Sequence, residues 1–315
     1  MRREIGSEFW SVPTAGENGL FPADTHWFRS GRAALEAIVR ENSFRTAAIP
    51  FWCCDSMIAP FLEADIRVLF YAPGGPIPEA DAALVLDYFG YTGHSVTAGF
   101  SGTVIRDVTH SLLSAVYSDA DYSFGSLRKW AGFHTGGFAW GLKTAPVYRS
   151  DTAFLTLRRK AMEEKEKYIS GLSDSKDYLA LFAEAEDILE QGGICPADPR
   201  DVALAGKLDV DFIRSRRRKN AEILLDAVGD LAVFPELKDT DCPMFVPILT
   251  DRRDELRRHL IQNEIYCPVH WPVSPIHVLT EDQERFYARE LSLVCDQRYS
   301  EADMRRFVEC IQEFI

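Results

Sequence analysis

Lys129 sits in the run Tyr122-Ser-Phe-Gly-Ser-Leu-Arg-Lys129-Trp130, with Gly132 and the pair Gly136-Gly137 close behind it. A lysine that forms an imine must face a cleft from a loop or strand end, and glycines beside it let backbone and a bound group approach closely. Ser126, just before Lys129, is placed to donate to an anion, and Ser123 is a second serine of the same run. Taken alone, a lysine is far more often a solvated surface residue. Upstream, Asp107-Val-Thr-His110-Ser follows the apolar pair Val104-Ile105. A carboxylate at a strand end can neutralise a protonated ring nitrogen, and His110 can bond a phenolic or ring oxygen. The plainer readings are a strand-end cap and a hydrogen-bonded helix-start residue. In Arg29-Ser-Gly-Arg32-Ala33-Ala-Leu, serine and glycine open a helix whose free amides suit an anion, although most helices start this way without one. Pro50-Phe-Trp52-Cys-Cys offers an aromatic that can stack on a flat ring, although a core aromatic is the commoner case.

Positioning these residues requires strands with helices between them. Residues 1 to about 25 read as irregular. Helical periodicity begins at Ser30-Gly31-Arg32, with Leu35, Ile38 and Val39 at helical spacing. Strands are predicted at Ala47–Pro50, Ile66–Tyr71, Ala83–Asp87 and Thr103–Asp107, and a helix at Ser56–Glu63. This rhythm predicts an α/β fold with a mostly parallel central sheet and flanking helices, its site beyond the strand C-termini. The chain then reads as helical and charged from Ser150 to Glu190, breaks at Gly192-Gly193, and resumes as a helix over Phe212–Val228. A strand at Met244–Leu249 and helices at Arg252–Asn263 and Ser300–Phe314 complete a smaller C-terminal α/β domain. The division expected is 1–205 for the large domain and 206–315 for the small one.

Composition excludes several classes. The net charge of −13 disfavours nucleic-acid binding, which needs a basic footprint. The run Arg214-Ser-Arg-Arg-Arg-Lys219 is the exception, and reads as a solvated helix face or interface element before a phosphate contact. Seven cysteines without a C-x-x-C pair suggest reduced thiols rather than a zinc or redox motif, and no metal site is expected. No apolar stretch approaches a membrane span, and the N-terminus has no signal-peptide pattern. A cytoplasmic location is the expectation.

In their order, these segments resemble the DegT/DnrJ/EryC1/StrS aminotransferase family of the fold type I enzymes that use pyridoxal 5'-phosphate (PLP). The resemblance rests on Ser-Gly-x-Ala-Ala-Leu, Pro-x-aromatic after a strand, Asp-x-x-His, and Ser…Lys with Gly-Gly shortly after. The strand Leu84-Val-Leu-Asp87-Tyr-Phe-Gly-Tyr91 and the segments Cys267-Pro-Val-His270-Trp271-Pro and Leu291…Asp296-Gln-Arg298-Tyr extend it to roughly residues 25–315. The resemblance implies Lys129 as the Schiff-base lysine, Asp107 against the pyridine nitrogen, His110 beside O3′ and Trp52 stacked on the ring. It implies Arg32 and Ala33 amides with a serine for the phosphate. The family's Ser-Phe-x-x-x-Lys spacing is missed by one residue at Ser123, whereas Ser126-x-x-Lys129 matches other fold type I enzymes, so Ser126 is preferred and Ser123 stays open. The family's Gly-Glu-Gly-Gly is His134-Thr-Gly-Gly137 here. Tyr91, His270, Trp271 and Arg298 are weaker candidates for substrate contact. The activity implied is transfer of an amino group, glutamate being the expected donor and a keto-sugar the expected acceptor, in a homodimer with shared sites. A non-catalytic PLP- or nucleotide-binding regulatory module on the same fold is the alternative.

Overall fold

The computed structural model describes residues 4–93, 97–114, 120–150 and 152–314. Its strands are β1 (Ile5–Gly6), β2 (His26–Phe28), β3 (Thr46–Pro50), β4 (Arg67–Tyr71), β5 (Ala82–Leu86), β6 (Thr103–Asp107), β7 (Tyr122–Ser126), β8 (Gly137–Trp140), β9 (Phe245–Leu249), β10 (Ile265–Tyr266) and β11 (Glu290–Val294). Its helices are α1 (Gly31–Glu41), α2 (Asp55–Glu63), α3 (Ala153–Ser170), α4 (Tyr178–Glu190), α5 (Pro199–Ala205), α6 (Val210–Val228), α7 (Arg253–Gln262), α8 (Glu281–Arg289) and α9 (Glu301–Gln312).

Seven strands form one sheet in the order β2-β8-β7-β6-β5-β3-β4. From β4 to β7 the pairing is parallel, and β8 runs antiparallel between β7 and β2. The mostly parallel sheet expected from the alternating pattern is therefore present. β5 is buried along its whole length, which is why Ala-Ala-Leu-Val-Leu reads as an unbroken apolar run. Three strands are not announced by the sequence. β7 is Tyr-Ser-Phe-Gly-Ser, whose glycine and serines break strand propensity, and β2 and β8 are short. The consequence is that Ser126 ends a strand, in register with Gly137.

α1 packs its buried face, Ala33 to Val39, on β7, β8 and α2. Gly137 is needed where β8 passes the start of α1, because a Cβ there would collide with the Ser30 carbonyl. The charged stretch after Ser150 is two helices rather than one. Gly171, at φ 78°, ends α3, and its N–H bonds the carbonyls of the last turn.

Two large hydrophobic clusters draw mostly on different parts of the chain, although Tyr287 belongs to the first and Ile5 to the second. One joins α1, α2 and the central strands. The other joins Ile5 to side chains between Ala221 and Ile311 on α6, α7, α9, β9 and β11. α6 straddles the boundary: Ile213 packs with Val108 and Trp130, whereas Ala221, Leu224 and Val228 pack in the second cluster. Its basic run is not simply a solvated face. Arg214 donates to the Leu113 carbonyl, Arg216 to Tyr299, Arg217 to Met244, and Arg218 to Lys238 and Asp241. Guanidinium forks here satisfy backbone carbonyls at chain ends and turns. Among the described residues, no helix is long and apolar enough to cross a membrane.

Candidate active site

The C-terminal ends of the parallel strands converge on one edge of the sheet, the usual ligand edge of such sheets. Lys129 closes the short 3-10 turn Leu127–Lys129 directly after β7. It is exposed, and its amine meets no hydrogen-bond or ion-pair partner among the described residues. Its charge nevertheless acts on Glu8, Cys54, Asp107, His110 and His270, which places all five around it.

Asp107 ends β6 and is 5% exposed. Its carboxylate accepts the Thr109 N–H at 2.7 Å. Burial pushes its pKa up to about 6; the Thr109 hydrogen bonds pull it down, nearby Asp87 pushes it up, and Lys129 pulls it down. Asp87 is itself neutralised, by Arg106 at 2.7 Å. Asp107 has no such cation among the described residues, so a buried carboxylate is left with room for a cationic partner.

His110 is half-buried, with Nδ1 accepting the Phe89 N–H at 3.3 Å. Burial and then Lys129 lower its pKa to about 3. The ring is therefore neutral, and an accepting Nδ1 leaves the proton on Nε2, a donor. Trp271 stacks on His110 at 5.6 Å and 20°. His270 is buried; its Nδ1 meets Ser292 Oγ at 2.8 Å, and Ser292 in turn meets Glu290 at 2.6 Å. Burial pushes the Glu290 carboxyl up to about 8.

The anion end of the site is built where α1 meets β7. Gly31 abuts Gly125 and Ser126 so closely that a Cβ on it would lie 3.4 Å from Ser126 Cβ. Ser30 caps α1, accepting the Ala33 N–H at 3.2 Å. The first-turn amides lack intrahelical acceptors. The Arg32 side chain pairs with Glu63 at 2.7 Å, leaving its Nε buried without a partner. Ser123 lies further back in β7, opposite Arg106 and Trp140, away from this edge.

The structure thus brings together Lys129, Asp107, His110, Ser126, Arg32, Ala33, His270 and Trp271. Three other expected residues are engaged by protein partners of their own, Trp52 at the border of this group and Tyr91 and Arg298 away from it. Trp52 lies within an aromatic cluster, one face stacked on Tyr88 at 4.6 Å and its Nε1 donating to the His270 carbonyl at 2.6 Å. Tyr91 packs on Phe234 with its hydroxyl buried and unpartnered. Arg298 pairs with Asp296 at 2.8 Å and donates to the carbonyls of Ser7 and Glu8. Its task here is to fasten the N-terminal segment.

That segment supplies a residue the sequence did not flag. Glu8 pairs with buried Arg158 at 3.1 Å. Burial works to raise the Glu8 pKa, but Arg158, Lys129 and Arg128 hold it below the usual carboxylate range. The run from Leu127 to Gly137 contains no acid, so Glu8 brings a carboxylate to Lys129 from the far N-terminal end. Nothing in an irregular, Gly- and Pro-rich stretch could have announced it.

A buried carboxylate awaiting a cation, a neutral N–H donor, a free lysine and open helix amides beside a serine together fit PLP. Comparison with solved structures agrees on the fold. PseC of Helicobacter pylori, an aminotransferase involved in the biosynthesis of pseudoaminic acid, superposes at TM-score 0.64, with 16% identity over 98% of this chain and 99% of that one. A DegT/DnrJ/EryC1/StrS aminotransferase from Brucella abortus gives 0.60, with 15% identity over 92% and 85%. Spr1654 of Streptococcus pneumoniae, a candidate sugar aminotransferase solved in its PLP form, gives 0.62, with 13% identity over 97% and 93%. No family model matches the sequence, and no curated protein does. The chain has the fold of the PLP-dependent transferases of fold type I.

Proposed function

We propose that this protein is a PLP-dependent aminotransferase that moves an amino group from an amino acid, glutamate in the first instance, to a keto or aldehyde acceptor. The observation that carries the reading is that Lys129 and the buried Asp107 lie near each other at one sheet edge, neither with an ion-pair partner among the described residues. PLP, when bound, supplies an electron sink for charge developing beside the transferred nitrogen. Lys129 would hold the cofactor through its amine, and that amine, when free, would accept the proton from the donor's Cα and return it on the other side of the transferred nitrogen. Asp107 keeps the ring nitrogen protonated, and His110 donates Nε2–H to the phenolic oxygen. Ser126 with the Gly31 and Arg32 amides would hold the phosphate, the Ala33 amide being engaged by Ser30; Ser126 is preferred to Ser123 because it borders α1. Trp52 and Trp271 contribute through the aromatic wall around His110. His270 and Trp271 remain candidates for the substrate side.

The keto-sugar acceptor follows the similar solved structures, among them the sugar aminotransferase CalS13 and the candidate sugar aminotransferase Spr1654. The homodimer with shared sites is part of the same reading, as is the division into residues 1–205, which carry the cofactor, and 206–315.

The test is spectroscopic. PLP added to the purified protein gives a visible absorption band, and borohydride then fixes the cofactor to Lys129, detected by peptide mass. An adduct elsewhere, or none, sinks the assignment. Glutamate bleaches the band in an aminotransferase. A band that stays unchanged with every amino acid tried points instead to a non-catalytic PLP-binding module.

A further inference from the structure

We propose that Trp130 is a positioning residue that sets the span between Lys129 and Asp107, and that Gln297 and Arg217 lock it from the C-terminal part of the chain. The inference rests on reading Lys129 and Asp107 as the two anchors of PLP. The carbon that bonds the lysine nitrogen and the ring nitrogen lie at opposite ends of a flat, rigid ring. The amine and the carboxylate must therefore be held a fixed distance apart, and small misplacements are costly to rate.

Trp130 connects both anchors. It follows Lys129 in sequence and is fully buried. Its backbone N–H bonds the Leu127 carbonyl at 2.9 Å, closing the turn that presents Lys129. Its indole Nε1–H donates to the Thr109 carbonyl at 2.7 Å. Thr109 in turn gives its own N–H to Asp107 at 2.7 Å. An indole has one polar atom, a donor only, and here it is used on the turn that carries the carboxylate.

The other side of Trp130 is held from a distance of many residues. Gln297 donates Nε2–H to the Trp130 carbonyl at 2.6 Å. Arg217 donates Nε–H to Gln297 Oε1 at 2.8 Å, and its guanidinium lies 4.7 Å over the Trp130 ring. Arg217 and Gln297 are 1% and 5% exposed. A continuous path of hydrogen bonds therefore runs from Asp107 through Thr109, Trp130 and Gln297 to Arg217. Each link is buried, where such bonds are short of water to replace them.

Trp130→Phe keeps the aromatic bulk and removes only the Nε1–H. The variant is expected to fold, and borohydride still to attach PLP to Lys129. PLP binding is expected to weaken roughly 5- to 10-fold, as for one lost buried hydrogen bond. The pH midpoint of the visible band is expected to move as the Asp107 contact loosens. A folded variant with wild-type PLP affinity and an unmoved midpoint shows that Trp130 merely fills space, and overturns the proposal. If Trp130→Phe does not fold, Gln297→Met is read by the same two measurements. If wild-type protein gives no adduct at Lys129, the cofactor reading fails separately. The spacer is then judged in cofactor-free protein by acetic anhydride labelling of Lys129 against pH. A changed profile in Trp130→Phe supports it and an unchanged one overturns it.

Discussion

Two basic regions of this molecule treat their cations in opposite ways. In α6, Arg214, Arg216, Arg217 and Arg218 each donate to backbone carbonyls, and Lys219 pairs with Glu301. After β7, Arg128 is bound by Glu186, whereas Lys129 next to it has no partner among the described residues. The longer, denser run is the structural one, and the single lysine is the one left free to react. Density of charge along a sequence is therefore a poor guide to chemistry. What matters is whether the fold supplies each charge with a partner.

The sharpest way to break this contrast is to remove the free cation. Lys129→Ala is expected to abolish covalent PLP attachment and to lower the transamination rate by about 10³-fold or more, with little change in melting temperature. A large loss of stability instead would mean that Lys129 is part of the scaffold. Next comes its electrostatic opposite. Asp107→Asn is expected to cut the rate by on the order of 10²-fold. The same change also has a stability signature in cofactor-free protein. The folded pKa of Asp107, about 6, lies above the value of roughly 3.9 expected in the unfolded chain. Between these values the folded state holds a proton that the unfolded state has lost. Stability therefore falls as pH rises from about 4 to about 6, by roughly 2–3 kcal/mol, and stays lower above that window. Thermal melts against pH should show this slope in wild type and a flatter one in Asp107→Asn.

On the structural side, Arg217→Met leaves the Gln297 oxygen and the Met244 carbonyl without their donor. Denaturant unfolding should show a loss of about 2–3 kcal/mol. Lys219→Ala, which removes an exposed ion pair, should leave the melting temperature unchanged within error. Equal effects for the two would erase the distinction within α6. A final, smaller measurement concerns His110. Nitrogen NMR should find it neutral, with the hydrogen on Nε2, from pH 7 down to about 4, in keeping with its pKa near 3.

The sheet was legible where apolar runs are continuous, as in β3, β5 and β6, because burial on both faces leaves a strong mark. It was illegible at β7, where Gly125 and the serines weaken strand propensity and Gly125 makes room for the Phe138 ring. That Asp107, His110 and Lys129 lie near one another at a sheet edge was legible, because residues at neighbouring strand ends converge in such folds. Trp52 and Arg298 were legible as notable residues but not by their contacts: a tryptophan after a strand can face a ligand or a core, and only Tyr88 against its face decides. Glu8 and the Gln297–Trp130 bond were beyond reach, since no local pattern marks a partner so distant in sequence.

The N-terminal strap has a consequence for how the molecule folds. Ile5 pairs with Ile265, and the Gly6 N–H bonds the Tyr299 hydroxyl, a separation of 293 residues. Ile5 and Gly6 can dock only against residues near Ile265 and Tyr299, so their pairing closes a very long stretch of chain. Such long-range closure is slow compared with local folding. The charge environment of Lys129 is thus completed by Glu8, a residue that only this long-range closure holds beside it.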